Sequence, residues 1–173
     1  MDKPRRVFNG IILVVTILII LFFLTDRLGQ EDDQLEKNKE LARRWSDEIW
    51  GKGSPDAVDE LLAAEFVFNY APPGVGSDLE GYKKTVTMWS EPFSDISCTV
   101  EEMIAEGNKV AVRWTWRGTH TGEYMGVSPT GKEMKVTGIS ILHIKDGNIV
   151  EEWGEMDNLG MMQQLGLVPS TEE

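Results

Sequence analysis

Eighteen consecutive residues without a charge, Val7–Leu24 (VFNGIILVVTILIILFFL), constrain this chain more than any other feature. The run is rich in β-branched residues but far too long for a strand. As a helix rising about 1.5 Å per residue it measures roughly 27 Å, close to the thickness of a bilayer's hydrocarbon core. Lys3, Arg5 and Arg6 precede it, and Asp26, Glu31, Asp32 and Asp33 follow it. This asymmetry predicts a cytoplasmic basic N-terminus at 1–6, a transmembrane anchor at 7–24 and a globular part on the exported side. An uncleaved anchor is preferred to a secretory signal, because TDRLGQ offers no small-x-small cleavage site. A single span without an ionisable residue forms no transport path, so its expected role is tethering.

Beyond the anchor the composition is that of a folded domain, with strongly acidic character. Setting aside Asp2, Lys3, Arg5 and Arg6 leaves 14 basic against 28 acidic residues in 26–173, a net charge of -14. Such a surface repels phosphate backbones, which argues against nucleic acid as a partner. Cys98 is the single cysteine, so no internal disulfide is available and the core must supply stability. Residues 25–34 are expected to form a polar linker, 35–169 one domain, and 170–173 a tail.

Within that domain Leu35, Leu41, Ala42, Trp45 and Ile49 recur at helical spacing, ended by Gly51 and Gly53. Ser54-Pro55 opens a short helix, and Ser77-Asp78 caps another that runs through Tyr82, Val86 and Trp89. Glu65–Tyr70 reads as a strand between these helices. The C-terminal half is strand-rich: Ser97–Ala105, an alternating segment with Val110, Val112, Trp114 and Trp116 on one face, Glu133–Ile144, and Ile149–Asp157. Asp146-Gly147 marks a two-residue hairpin, and Asn158–Leu165 closes the domain as a short helix. Helices first and a meander afterwards predict an α+β fold, a curved antiparallel sheet wrapped around the N-terminal helices. Its concave face would enclose a pocket whose tryptophans suit an apolar or aromatic small molecule.

Few residues stand out chemically. His143 follows Ile139 and Ile141 at two-residue spacing and shares their strand face; if that face lines the cavity, the imidazole lies in an apolar site. Asp157 shares a face with Trp153 and Glu155, although an Asp before Asn158-Leu159-Gly160 is also a standard helix cap. Asn69, in the apolar strand FVFNY, needs hydrogen-bond partners if buried. His120, His143 and Asp157 are the residue types of a metal site but lack a recognisable ligand spacing, so no metal is expected. Nucleophile-elbow, P-loop and dinucleotide signatures are lacking.

The stretch Trp116–Gly166 resembles the SnoaL-like polyketide cyclase and ester cyclase family. The resemblance rests on HTGEYMGVSPTGK, then GISILHIKDGNIVEEW, then Asp-x-x-Gly followed by MMQQLG. It implies a cone fold similar to that of nuclear transport factor 2 and ketosteroid isomerase. It also implies cofactor-free acid–base catalysis of an intramolecular aldol-type ring closure. In those terms Asp157 is the general acid/base, and His143 and Asn69 assist. Trp114, Trp116, Trp153, His120, Tyr124 and Met125 are the expected ligand-binding residues. Domains of this fold also pair through the convex sheet face, so a homodimer is among the expected partners. Two alternatives use the same pocket: a non-catalytic small-molecule-binding module, and an isomerase or hydrolase.

Overall fold

The computed structural model describes residues 3–169, with side chains at 16 and from 18 onward. Helix α1 (Lys3–Arg44) runs unbroken into a π-helical segment, Trp45–Gly51. Then follow α2 (Asp56–Leu61), β1 (Leu62–Phe68), α3 (Leu79–Ser90), β2 (Phe93–Glu106), β3 (Lys109–His120), β4 (Glu133–Lys145), β5 (Asn148–Met156) and α4 (Asn158–Leu165). The expected linker at 25–34 is helical instead. Local side-chain bonds support it there: Thr25 Oγ1 donates to the Phe22 carbonyl, and Gln30 to Asp26 one turn away. Most side chains of the expected anchor at 7–24 lie outside the described residues. Among those described, no helix is long and apolar enough to cross a membrane.

The five strands form one sheet in the order β1-β5-β4-β3-β2. Strands β2 to β5 are the antiparallel meander read from the sequence, and Asp146 and Gly147 both take positive φ in the tight β4–β5 hairpin. The sheet is nevertheless mixed, because β1 pairs parallel to β5, with Leu62 against Ile149 and Phe68 against Glu152. Strand direction leaves no trace in an apolar hexapeptide, so EFVFNY could not reveal it.

Irregularities curve the sheet. Register shifts between Ser94 and Ser97, and between Val100 and Glu102, interrupt the β2–β3 ladder, and bulges of this kind bend and twist a strand. A third shift has larger consequences. Ile144 faces Ile149 while His143 faces Glu151, so β5 carries one extra residue at this point. From there the inward positions of β5 change parity.

Two apolar clusters pack inside the curve. One joins Ala42, Trp45 and Ile49 to Phe66, Phe68, Tyr82, Val110, Val112 and Leu142. The other gathers Trp89, Phe93, Trp116, Tyr124, Met134, Val136, Met161 and Leu165. Trp50 and Trp114 contact both clusters, and the space between them is a cavity. Capping fixes the helices around it: Asp78 accepts from the Gly81 N–H at the start of α3, and Asp157 from the Gly160 N–H at the start of α4.

Candidate functional site

The cavity has a volume of about 840 Å³, within the range of small-molecule sites. Its walls are aromatic and thioether: Trp45, Trp50, Trp89, Trp114 and Trp116, with Phe68, Tyr70, Tyr124, Met88 and Met161. Polar groups are sparse, and no Lys, Arg or His is among the lining residues. Asn69, Glu155 and Asn158 are exposed lining residues, and Asn158 donates to the Tyr70 hydroxyl at 3.0 Å. Cys98 also faces this space, and burial pushes its thiol up to about 11, which keeps it protonated and unreactive at neutral pH.

In the interior lies a charged group that the sequence reading did not single out. Glu152 on β5 is 3% exposed and lines the cavity. Its Oε2 accepts from the Tyr82 hydroxyl at 2.6 Å, and its Oε1 from the Ser140 hydroxyl at 3.0 Å. Both hydroxyls are themselves acceptors for indole N–H groups. Trp45 and Trp50 donate to Tyr82 Oη at 2.8 and 3.1 Å, and Trp114 donates to Ser140 Oγ at 3.1 Å. An indole N–H can only donate. Each hydroxyl therefore directs its own proton at the carboxyl, an arrangement suited to the ionised form. Burial opposes it: desolvation is the larger effect and raises Glu152 from the ordinary 4.5 to about 7, against the donors Tyr82, Ser140 and, more weakly, Trp45 that pull it down. Burial likewise holds the Tyr82 phenol well above its usual value, with the adjacent Glu152 adding to the effect.

Local backbone features make this geometry. Trp45 and Trp50 are five residues apart, and the i→i+5 hydrogen bonding of the π-helical segment brings both indoles to one oxygen. Gly138, opposite Trp114 in the β3–β4 ladder, leaves the space that the Trp114 indole occupies; a Cβ there would overlap the ring. Gly154, opposite Ser140, keeps the floor beside Glu152 open.

The residues expected from sequence divide into two groups. Trp114, Trp116, Tyr124, Met125 and Asn69 line the cavity. His143, Trp153, His120 and Asp157 do not. Ile139 and Ile141 are 51% and 41% exposed, so the face His143 shares with them is the outer one. There His143 Nδ1 pairs with Glu151 Oε2 at 2.6 Å, while Asn69 Nδ2 and Trp153 Nε1 each donate to Glu151 Oε1 at 2.9 Å. The extra residue in β5 explains the misplacement: counting in twos from buried Ile149 puts Trp153 and Asp157 inside, but after the bulge Glu152 turns inward and Trp153, 50% exposed, turns out. Asp157 is exposed and caps α4. His120 is fully buried at the end of β3, its Nδ1 3.1 Å from Thr130 Oγ1 and its ring against Phe93. Among the described residues no three His, Cys, Asp or Glu side chains converge as metal ligands would.

Comparison with known proteins agrees with this architecture. TsrD from Streptomyces laurentii is 28% identical, with a TM-score of 0.68 over 77% of this chain and 97% of its own. IdmH from Streptomyces antibioticus is 33% identical, with a TM-score of 0.65 over 75% of this chain and 98% of its own. A protein of ketosteroid isomerase-like fold from Catenulispora acidiphila, 16% identical, shares the fold alone, at a TM-score of 0.60 over 73% of this chain and 92% of its own. No curated protein matches the sequence. The model of the SnoaL-like polyketide cyclases matches residues 40–165, from the last turn of α1 through the whole sheet to α4, and the chain belongs to that family.

Proposed function

We propose that this chain is a membrane-tethered, cyclase-type enzyme that closes a ring in an apolar, carbonyl-bearing small molecule by cofactor-free acid–base catalysis. The observation that carries the reading is the cavity: its aromatic walls match a flat, conjugated molecule, and a carboxyl stands inside it. Ring closure of the aldol type needs a base to remove a proton from carbon and an acid to quench the new alkoxide, and one carboxyl can do both in turn. The family resemblance assigns this work to Asp157, with His143 and Asn69 assisting. Asp157 caps α4 through Oδ1 and leaves Oδ2 for a proton, but it lies outside the lining residues, so a substrate has to reach it at the rim. Residues 7–24 hold the domain at a membrane, on the side opposite the N-terminus.

A second reading draws on a specific feature. Asp157 serves as a helix cap, and Asn69 and His143 are bound to Glu151, so all three have structural partners. On this reading the cavity binds a ligand without transforming it. Isomerase or hydrolase chemistry would use the same space. Incubation of the full-length chain with an aromatic compound that bears a β-dicarbonyl side chain and, on the adjacent ring position, a ketone side chain as acceptor separates these readings. An isomeric product of unchanged mass with one new ring supports the cyclase. Addition of water indicates hydrolysis, and a ligand recovered unchanged from the protein indicates the binding module. Turnover at the wild-type level in D157N, with the fold retained, would remove Asp157 from the mechanism.

A further inference from the structure

Glu152 is the one carboxyl enclosed among the lining residues, and no role in the family resemblance falls on it. A buried carboxyl kept only for structure would be expected to pair with a cation, yet no Lys, Arg or His lines the cavity and its partners are two hydroxyls. Donor-only indoles bias both hydroxyls toward the carboxyl: two of them take up the Tyr82 oxygen and one occupies Ser140 Oγ. Each carboxylate oxygen accepts one of these bonds and keeps a lone pair for a further proton.

We propose that Glu152 is the catalytic proton-transferring group of this cavity, with Tyr82 and Ser140 as positioning residues that relay the donor character of Trp45, Trp50 and Trp114. The proposal rests on the acid–base reading above and names the residue that performs it. In the forward step the Glu152 carboxylate takes a proton from a carbon flanked by carbonyls, and the C–H electron pair becomes the enolate. That carbon then attacks a second carbonyl of the same molecule, forming one C–C bond and moving the C=O pair onto oxygen. The protonated carboxyl returns its proton to this alkoxide, so the product is an isomer of the substrate and Glu152 ends as it began. No oxidant, reductant or second reactant is consumed. A carboxyl that changes protonation near neutrality suits both half-steps. The other titratable groups around it are Tyr82 from α3, Cys98 from β2, Tyr70 after β1, Tyr124 after β3 and the exposed Glu155 on β5; burial raises the thiol and the three phenols, so none of those four supplies an anion at neutral pH.

A probe that needs no native substrate tests this. 2-Tetralone is flat, apolar and enolisable, and proton NMR in deuterated buffer follows exchange of its activated methylene. Tryptophan fluorescence reports its occupation of the cavity. The full-length chain in detergent accelerates the exchange, with a rate that climbs through a single ionisation and levels off above it. In E152Q the acceleration falls by roughly 10²-fold or more, as loss of a general base requires. E152D recovers part of it. In S140A, which removes one of the two donors, the midpoint of the pH profile moves upward, a change that a purely structural serine would not produce. Wild-type exchange in a folded E152Q, or loss of exchange in D157N while E152Q keeps it, overturns the assignment and leaves acid–base chemistry standing. An unmoved midpoint in S140A overturns the relay even if E152Q fails to fold. A bound probe that wild type exchanges no faster than solvent does removes the acid–base reading and Glu152 together.

Discussion

Glu151 and Glu152 are adjacent in the chain and lie on opposite faces of the sheet. Both accept hydrogen bonds from groups tied to tryptophan. On the outside Glu151 takes the Trp153 indole and the Asn69 amide, with His143 on its other oxygen, and the indole bond is the leading cause that holds its carboxyl below the usual range. On the inside Glu152 takes two hydroxyls backed by three indoles, and its carboxyl nevertheless rises to about 7. The difference is hydration. Where water still reaches the anion, donors add to solvation and the acid strengthens. Where water is excluded, two donated bonds do not replace the lost hydration shell.

Four measurements put this contrast to the test. The largest effect belongs to Y82F, which leaves two indole N–H groups and one carboxylate oxygen without partners. Each unsatisfied buried group costs about 1–3 kcal/mol, so the variant should lose several kcal/mol in urea unfolding; a loss under about 1 kcal/mol would mean that the Tyr82 hydroxyl is not the junction described. Next comes the pH dependence of stability. Because the folded protein holds the Glu152 proton more tightly than the unfolded chain, stability falls as pH rises from the ordinary 4.5 to about 7 and is then level. At about 1.4 kcal/mol per pH unit the total is on the order of 3 kcal/mol. This decline should be absent from the E152Q profile, while the Glu151 contribution runs the other way, lost as pH falls through its lowered range. D157A removes the α4 cap and should cost about 1 kcal/mol in thermal unfolding. Smallest is E151Q, whose carboxylate and partners are reached by solvent: it should cost less than about 1 kcal/mol, and still less at high salt.

The same pair of glutamates marks where the sequence was legible. Alternation, turn residues and caps placed α3, α4, the four-strand meander and the Asp146-Gly147 hairpin correctly, because each of these is a local signal. Strand phase was not local. In NIVEEWGEM apolar residues fall on both parities, and one inserted residue after Ile149 exchanges inside for outside without altering composition. An indole expected at the ligand, Trp153, therefore stands half-exposed on the outer face, and a carboxyl that drew no attention, Glu152, stands in the cavity. In β4 the problem recurs, since Ile139 and Ile141 on one face look as core-like as Leu142 and Ile144 on the other. Ser140 and Tyr82 carried no warning either, because a serine and a tyrosine acquire significance only from the group they touch across the sheet.

The π-helical segment Trp45–Gly51 gives the acidity of Glu152 an unexpected mechanical control. At about 100° per residue, five positions along an α-helix lie roughly 140° apart, so two indoles so spaced could not meet at one atom. One residue of surplus in that turn is what aims both at Tyr82. Excising a single residue there would restore ordinary pitch, swing one indole away and leave every titratable group of the cavity in place. The carboxyl's proton affinity would then change through backbone winding alone. In this domain a change of chain length, with every cavity side chain kept, is a way to retune an acid.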